Sequence, residues 1–314
     1  MSDSDEANWR GKLANGGLPQ ILAGPAGAAI SRLIGAATDI PAAFLESFTQ
    51  GIKDKTSARS QISQAIAGKV AAVSVEDPAV MQRAIQNMLG RAYRVQANKD
   101  AIARIAVESL VDDPVPAESI GPTDSWMMKF ERYVEDVSDD DLRMVFGKLL
   151  AGEIRRPGEV AQSTLHFVSM LEPENAALLQ RVLPHTSDDG AAFLDCITPE
   201  LTLLEKTIIE QTGFWTTGLS MNLSADQNGV LIRKVRGEIG FAARTNPDEK
   251  IMLNAAVLSR AGKDLLKIVG SQFDFQRMAN VILARNGKNF YVGVIVAEGT
   301  SAEIREPREL YSEP

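Results

Sequence analysis

Three side chains could supply a strong nucleophile, a neutral-pH base or a soft metal ligand: His166, His185 and Cys196. A zinc-type site needs Cys or His in short-spaced pairs that close a tetrahedron, and no such pair occurs. Ser163-Thr164-Leu165-His166 lacks the glycine pattern that exposes a serine on a strained strand-to-helix turn. His166 stands beside Phe167 and reads as a packing or surface residue. No glycine-rich loop ends in Gly-Lys-Ser or Gly-Lys-Thr, and no Gly-x-Gly-x-x-Gly is present. These absences lead us to expect no catalytic residues, no metal ligands and no cofactor.

Charged residues are the next source of chemistry. From Asp112 to Asp141, ten acids stand against Lys129 and Arg132, a net charge of −8. Carboxylates bind divalent cations, but the alternating ligands and central glycine of a calcium loop are missing. Asp139, Asp140 and Asp141 have a simpler role at the start of a helix, where a negative charge favours the positive end of the dipole. Between Val230 and Lys288, eleven Lys or Arg stand against five acids, a net charge of +6. Arg233, Lys234, Arg236 and Lys250 are the candidate phosphate contacts of that stretch. A smaller cluster, Arg91, Tyr93, Arg94, Gln96 and Lys99, reads as a solvated connection between two helices.

The elements that hold these residues follow from patterning. A chain of 314 residues exceeds the size at which single cores stop growing, so two or three units are expected. A net charge of −8 disfavours general, charge-driven attraction to nucleic acid or anionic lipid. The single cysteine, Cys196, rules out an intrachain disulfide and fits a reducing, cytoplasmic setting. The acidic opening, Met1 to Glu6, is unlike a secretory leader, and we expect none. Residues 13–31 carry no charge, but Asn15, Gly16, Gly17, Pro19, Gln20 and Pro25 make them too polar and too broken for a spanning helix.

Along residues 1–111 we expect an Ala- and Gly-rich helical region. Ile30, Leu33, Ile34 and Ala37 share one face, and Pro41 starts a second helix with Phe44, Leu45 and Phe48. Asp77-Pro78 opens a helix with Met81, Ala84, Ile85, Met88 and Leu89 in its stripe, which Gly90 ends. Asn98 caps another, with Ile102, Ile105, Ala106 and Leu110 on one face. Residues 112–123, with Pro114, Pro116 and Pro122, form an acidic linker. A central helical domain at 124–190 comes next, then a C-terminal α+β domain at 191–305 and a tail at 306–314. In the α+β domain, Thr198-Pro199 starts a helix. Strands are expected at 219–223, 230–235, 239–243, 251–258 and 290–297, and helices at 261–269 and 275–284. The predicted class is mainly α with a small, winged-helix-like α+β unit at the end.

The central segment carries a pattern: Asp124-x-Trp126, Phe130, Ser138-Asp139-x-Asp141, Phe146-Gly147-Lys148-Leu149-Leu150-Ala151-Gly152-Glu153-Ile154, then Pro157-Gly158. Trp126, Phe130, Phe146 and Leu149 read as a helix pair. Ser138 and Asp141 read as a capping box, and Gly152 with Pro157-Gly158 as the exit turn. This pattern resembles the bacterial family known as domain of unknown function 2806. Leu258 to Leu266 is similar to that family's late segment, where a strand passes through a Ser-x-Ala-Gly turn into a helix. Together the two pieces extend the resemblance over roughly residues 110–300. Phe146 stands where the family commonly has Trp. A more distant similarity links the chain to abortive-infection alpha proteins, which are associated with phage defence. The resemblance implies a fold and brings no catalytic residues with it. The leading expectation is a non-enzymatic interaction protein, with a protein partner or self-association, in a phage-defence setting. Two other readings stand beside it. One is a membrane-acting effector using residues 13–50, and the other is a nucleic-acid-binding regulator using the basic 230–288 surface.

Overall fold

The computed structural model describes residues 24–35, 78–116, 118–137, 139–298 and 301–312. The chain divides into two units, Met1–Leu165 and His166–Pro314.

In the first unit the described helices are α1 (Gly24–Ile34), α2 (Pro78–Asp112), α3 (Asp124–Val134) and α4 (Asp140–Arg155). Where patterning predicts two helices joined at Arg91–Lys99, α2 is continuous for 35 residues. Gly90 costs only about 1 kcal/mol in a helix interior, and its good helix-forming neighbours Arg91, Ala92, Arg94, Gln96, Ala97 and Lys99 carry the helix through. No proline interrupts the run until Pro114. Asn98 is not a cap. It is buried in mid-helix, where its amide donates to Glu135 O at 3.0 Å and its carbonyl accepts from Arg143 Nη2 at 2.8 Å.

Residues 112–123 connect α2 to α3, whose N-cap Thr123 accepts from Trp126 N. Asp139 caps α4, accepting from Asp141 N at 2.9 Å and Leu142 N at 3.1 Å. The capping function expected of Ser138 therefore falls on its neighbour, and Ser138 itself lies outside the described residues. Ile30, Leu33 and Ile34 of α1 are buried. Arg32 on the same helix reaches Glu131 at 2.7 Å and Asp124 at 2.6 Å. The rest of the expected N-terminal hairpin, Ala37 to Phe48, lies outside the described residues. Among the described residues no helix is long and apolar enough to cross a membrane.

The second unit corrects the expected fold class. It is not a small winged-helix appendage to a mainly α chain, because two antiparallel sheets occupy the C-terminal half and make the fold α+β. After α5 (Gln162–Ser169) and α6 (Pro173–Val182) come β1 (Ala191–Phe193) and α7 (Leu203–Gln211). Then follow β2 (Trp215–Ser224), β3 (Val230–Arg236), β4 (Ile239–Arg244), β5 (Lys250–Leu258), α8 (Arg260–Val269), α9 (Phe275–Leu283), β6 (Asn289–Glu298) and β7 (Ser301–Ser312). One sheet has the order β1-β5-β2 and the other β3-β4-β6-β7.

Two strands escape sequence patterning. β1 has three residues, all buried, too short for an alternation. β7 runs through the stretch expected to be a tail. Its alternating charges and Pro307 give no apolar face to read, and only pairing with β6 from Ser301 to Ser312 defines it. The helix expected from Thr198-Pro199 begins instead at Leu203. Its start is a capping box in which Thr202 accepts from Glu205 N and the Glu205 carboxylate accepts from Thr202 N. Phe193, Leu223, Leu231, Phe241, Leu253, Phe273, Met278 and Phe290 bring both sheets and α9 into one core.

The core of the first unit is the aromatic seam of α3 and α4. The Trp126 ring stacks on Phe130 at 5.0 Å, and Phe130 meets Phe146 edge-on at 5.9 Å. Phe130, Phe146 and Leu149 are fully buried and Trp126 nearly so. Truncating Phe146→Ala removes a ring from a closed site and should cost about 3–5 kcal/mol in urea unfolding followed by circular dichroism. A loss below about 1 kcal/mol would show that the seam is not packed as described.

Candidate functional site

Several residues of the central pattern come together in the first unit, where they have structural tasks. On α4, a Cβ added at Gly147 would lie 2.5 Å from Ile105 Cγ2 and 3.1 Å from Ile102 O, so glycine is what lets α4 approach α2 this closely. Glu153, on the same helix, is 1% exposed. Its carboxylate accepts from Gly158 N at 2.7 Å and Val160 N at 3.0 Å. Val160 O in turn accepts from the Trp126 indole N–H at 2.9 Å. Gly158 sits at φ +85°, a left-handed conformation that suits glycine after Pro157. Arg155 donates to Asp113 O at 2.5 Å and to Ser109 O, tying the end of α4 to the end of α2. The role of Glu153 does not follow from its place in the sequence pattern. The signal was an acid that stands directly before an apolar residue and a Pro-Gly turn inside a buried helix face.

The four candidate phosphate contacts are divided between two sheets, and three already hold a carboxylate. Arg233 pairs with Asp189 at 2.6 Å and lies over the Phe193 ring at 5.6 Å. Arg236 pairs with Asp188 at 2.6 Å and donates to Thr186 O at 2.9 Å. Lys234 pairs with Glu238 at 2.6 Å. Lys250 is exposed at the start of β5 in the other sheet. The Asp188-Asp189 turn is thus clamped onto the β3–β4 hairpin, and Asp188 also accepts from Gly237 N at 2.7 Å.

Burial works against the Asp189 charge. The Ser187 hydroxyl, the Arg233 guanidinium and the Ala191 N–H outweigh it, and together they hold the carboxyl below its ordinary range. Asp195 behaves in the same way: burial is overcome by the backbone and side-chain amides of Asn254 and by Arg285.

The two histidines and the cysteine do not form a site. His166 is exposed on α5. His185 is buried in a short turn, and burial lowers its imidazole below the ordinary value against the pull of Asp274. Cys196 is fully buried. Burial, with the Asp195 charge beside it, pushes its thiol up to about 12. Among the described residues no group of three or more His, Cys, Asp or Glu could hold a metal ion.

One feature of the second unit, among the described residues, has the shape of a binding site and was not legible in the sequence. It is an open groove of about 520 Å³ lined by Ile239, Phe275, Val292, Val294 and Leu310, with Gln276, Glu306 and Arg308 among its polar residues. A bulge makes it. The β6–β7 register slips between Val292 and Val294, and Glu306 adopts φ +51° before Pro307. An extra residue in one strand bends the sheet and re-aims its side chains. Here the result is a recess between the sheet and the start of α9.

The architecture defines an α+β protein with a helical first unit and a second unit of two antiparallel sheets, and its shared pattern is a packing motif. Residues 82–191 match the family described as protein of unknown function (DUF2806), and that segment carries its domain. The match runs from α2 to the first residue of β1 and so contains the whole Gly147–Glu153–Trp126 assembly. The Leu258–Leu266 segment lies beyond it, and there β5 does pass through an N-cap, Ser259, into α8. No curated protein and no solved structure matches the chain.

Two outcomes follow from the charges. Asp189 stabilises the native state above the unfolded carboxylate range and loses that effect as pH falls through its lowered native value. The Tm deficit of Asp189→Asn should therefore be full near neutral pH and close on acidification. A deficit independent of pH would remove the ionic explanation. Cys196 should resist a thiol-specific disulfide reagent at neutral pH while the protein is folded and react fully in denaturant, since the thiolate is the reactive form. Rapid labelling of the native protein would contradict its burial.

Proposed function

We propose that this chain is a non-enzymatic interaction protein that works in the bacterial cytoplasm by holding a partner segment in the groove beside α9. The observation that carries the reading is the groove itself: apolar walls, a volume of about 520 Å³ and the exposed Arg308 and Glu306 in its lining. Ligand sites commonly enclose about 300–1,000 Å³, with an apolar lining and a few polar groups that fix orientation. One or two apolar side chains of a partner fit such a recess, and the two opposite charges would set its direction. Ile239, 46% exposed, is the most open of the large apolar lining residues.

The distant similarity to abortive-infection alpha proteins supports a phage-defence setting for that partner. The nucleic-acid reading draws less support, because binding phosphate through Arg233, Lys234 or Arg236 would first break a carboxylate pair. The membrane reading draws less as well. The described part of residues 13–50 turns Ile30, Leu33 and Ile34 into protein.

The test is site-specific photo-crosslinking in the native host. The photoreactive residue p-benzoylphenylalanine replaces Ile239 in one variant and Leu203, 82% exposed and outside the groove, in another. A discrete protein adduct is expected from position 239 and none from 203. Adducts of the same pattern from both positions, or none from either, would overturn the groove as the binding surface. Loss of the 239 adduct on nuclease treatment would move the reading to nucleic acid.

A further inference from the structure

The two sheets end in four edge strands, β1, β2, β3 and β7. An edge strand offers unpaired N–H and C=O groups, and proteins keep such edges apart with charge, proline, shortness or cover. Three of the four edges follow that rule. β1 has three buried residues, extended only by the Thr186–Ala192 bridge. β3 carries Arg233, Lys234 and Arg236. β7 carries Glu303, Arg305, Glu306, Pro307, Arg308 and Glu309. β2 does not follow it: Trp-Thr-Thr-Gly-Leu-Ser-Met-Asn-Leu-Ser has no charge and no proline over ten residues. A bulge at Thr216–Leu219, with Gly218 at φ +78°, occupies its first half, where Glu210 accepts from Thr217 N and Oγ1. From Leu219 to Ser224 the strand is regular, pairing in unbroken register with Ala255 to Lys250. No described strand pairs with its other side.

We infer that Leu219–Ser224 is a self-pairing edge whose occupant is the same strand of a second copy, antiparallel across a two-fold axis. This rests on β2 alone and is independent of the groove. Two observations favour a second copy. The first is charge. A strand opposed to itself meets its own charges, and β2 has none to repel, whereas β3 would bring its Arg233, Lys234 and Arg236 against the same basic residues. The second is parity. Side chains alternate between faces along a strand, and residues paired across strands share a face. A two-fold axis through Met221 sets Met221 against Met221 and Leu219 against Leu223 of the second copy. All of these lie on the face that carries Leu223 into the core. Leu219, 45% exposed, and Met221, half-buried, would gain cover on that face. Ser220 and Asn222, both exposed, would pair with Asn222 and Ser220 of the second copy on the other face as neutral hydrogen-bonding groups. Joining two three-stranded sheets gives six strands, within the usual sheet size of about four to six.

The experiment is sedimentation velocity of the full chain over a range of concentrations. Wild type should sediment as a dimer at micromolar concentration. The double variant Ser220→Lys with Asn222→Lys places like charges across the axis at exposed positions. It should weaken the dimer at least about tenfold while keeping the wild-type circular dichroism. The matching variant Ser220→Glu with Asn222→Glu should also be monomeric, and mixing the two should restore a dimer of one copy of each. A wild type that stays monomeric, a lysine variant that dimerises as wild type does, or a mixture that fails to associate would each overturn the proposal.

Discussion

A single buried carboxylate ties α4 to α3 through the turn that follows α4. Glu153 is nearly sealed from water, and an ionised group there is tolerable only if its lone pairs are filled. The backbone supplies the donors: Gly158 N and Val160 N both point at it. That fixes the Pro157-Gly158 turn, and the turn presents Val160 O to the Trp126 indole. A chain of bonds therefore runs from α4 through a loop to α3, in a region where water cannot replace a lost partner. The Trp126–Phe130–Phe146 seam then has only one way to close. Gly147 completes the arrangement by removing the Cβ that would hold α2 away. This gives the aromatic, the glycine, the acid and the Pro-Gly turn of the central segment a shared role in packing.

In the second unit, charge serves the fold before it serves any partner. Arg233, Lys234 and Arg236 make the β3–β4 hairpin look like a phosphate-binding surface when read alone. In three dimensions they meet Asp189, Glu238 and Asp188. The Asp188-Asp189 turn precedes the hairpin by more than forty residues, so the partners of Arg233 and Arg236 are far off in sequence and adjacent in space, while Lys234 pairs locally with Glu238. The two surfaces proposed for recognition are an apolar-walled recess at the β6–β7 bulge and an uncharged edge at β2. Both suit protein contact better than contact with a polyanion.

Much of the local structure was fixed by sequence. The apolar spacing of Trp126, Phe130, Phe146 and Leu149, the short apolar segments of β3, β4 and β5 between turn residues, the β-branched run of β6, and the amphipathic stripes of α8 and α9 specify their elements through period and side-chain type. Those signals act over one or two turns of helix or a few strand residues, and neighbouring residues carry them in full. Tertiary structure alone decided the rest. It kept α2 continuous through Gly90 and drew Asn98 to Glu135 and Arg143. It recruited the charged strand β7 by pairing with β6, and with it turned an expected small winged unit into two sheets. It also opened the groove by a one-residue slip of register, and it paired Arg233 and Arg236 with distant acids. The physical reason is common to all of these. A strand without an apolar face, a glycine inside a helix and a charge without a local partner are each locally undecided, and each is settled by a contact whose other half lies far away in the chain.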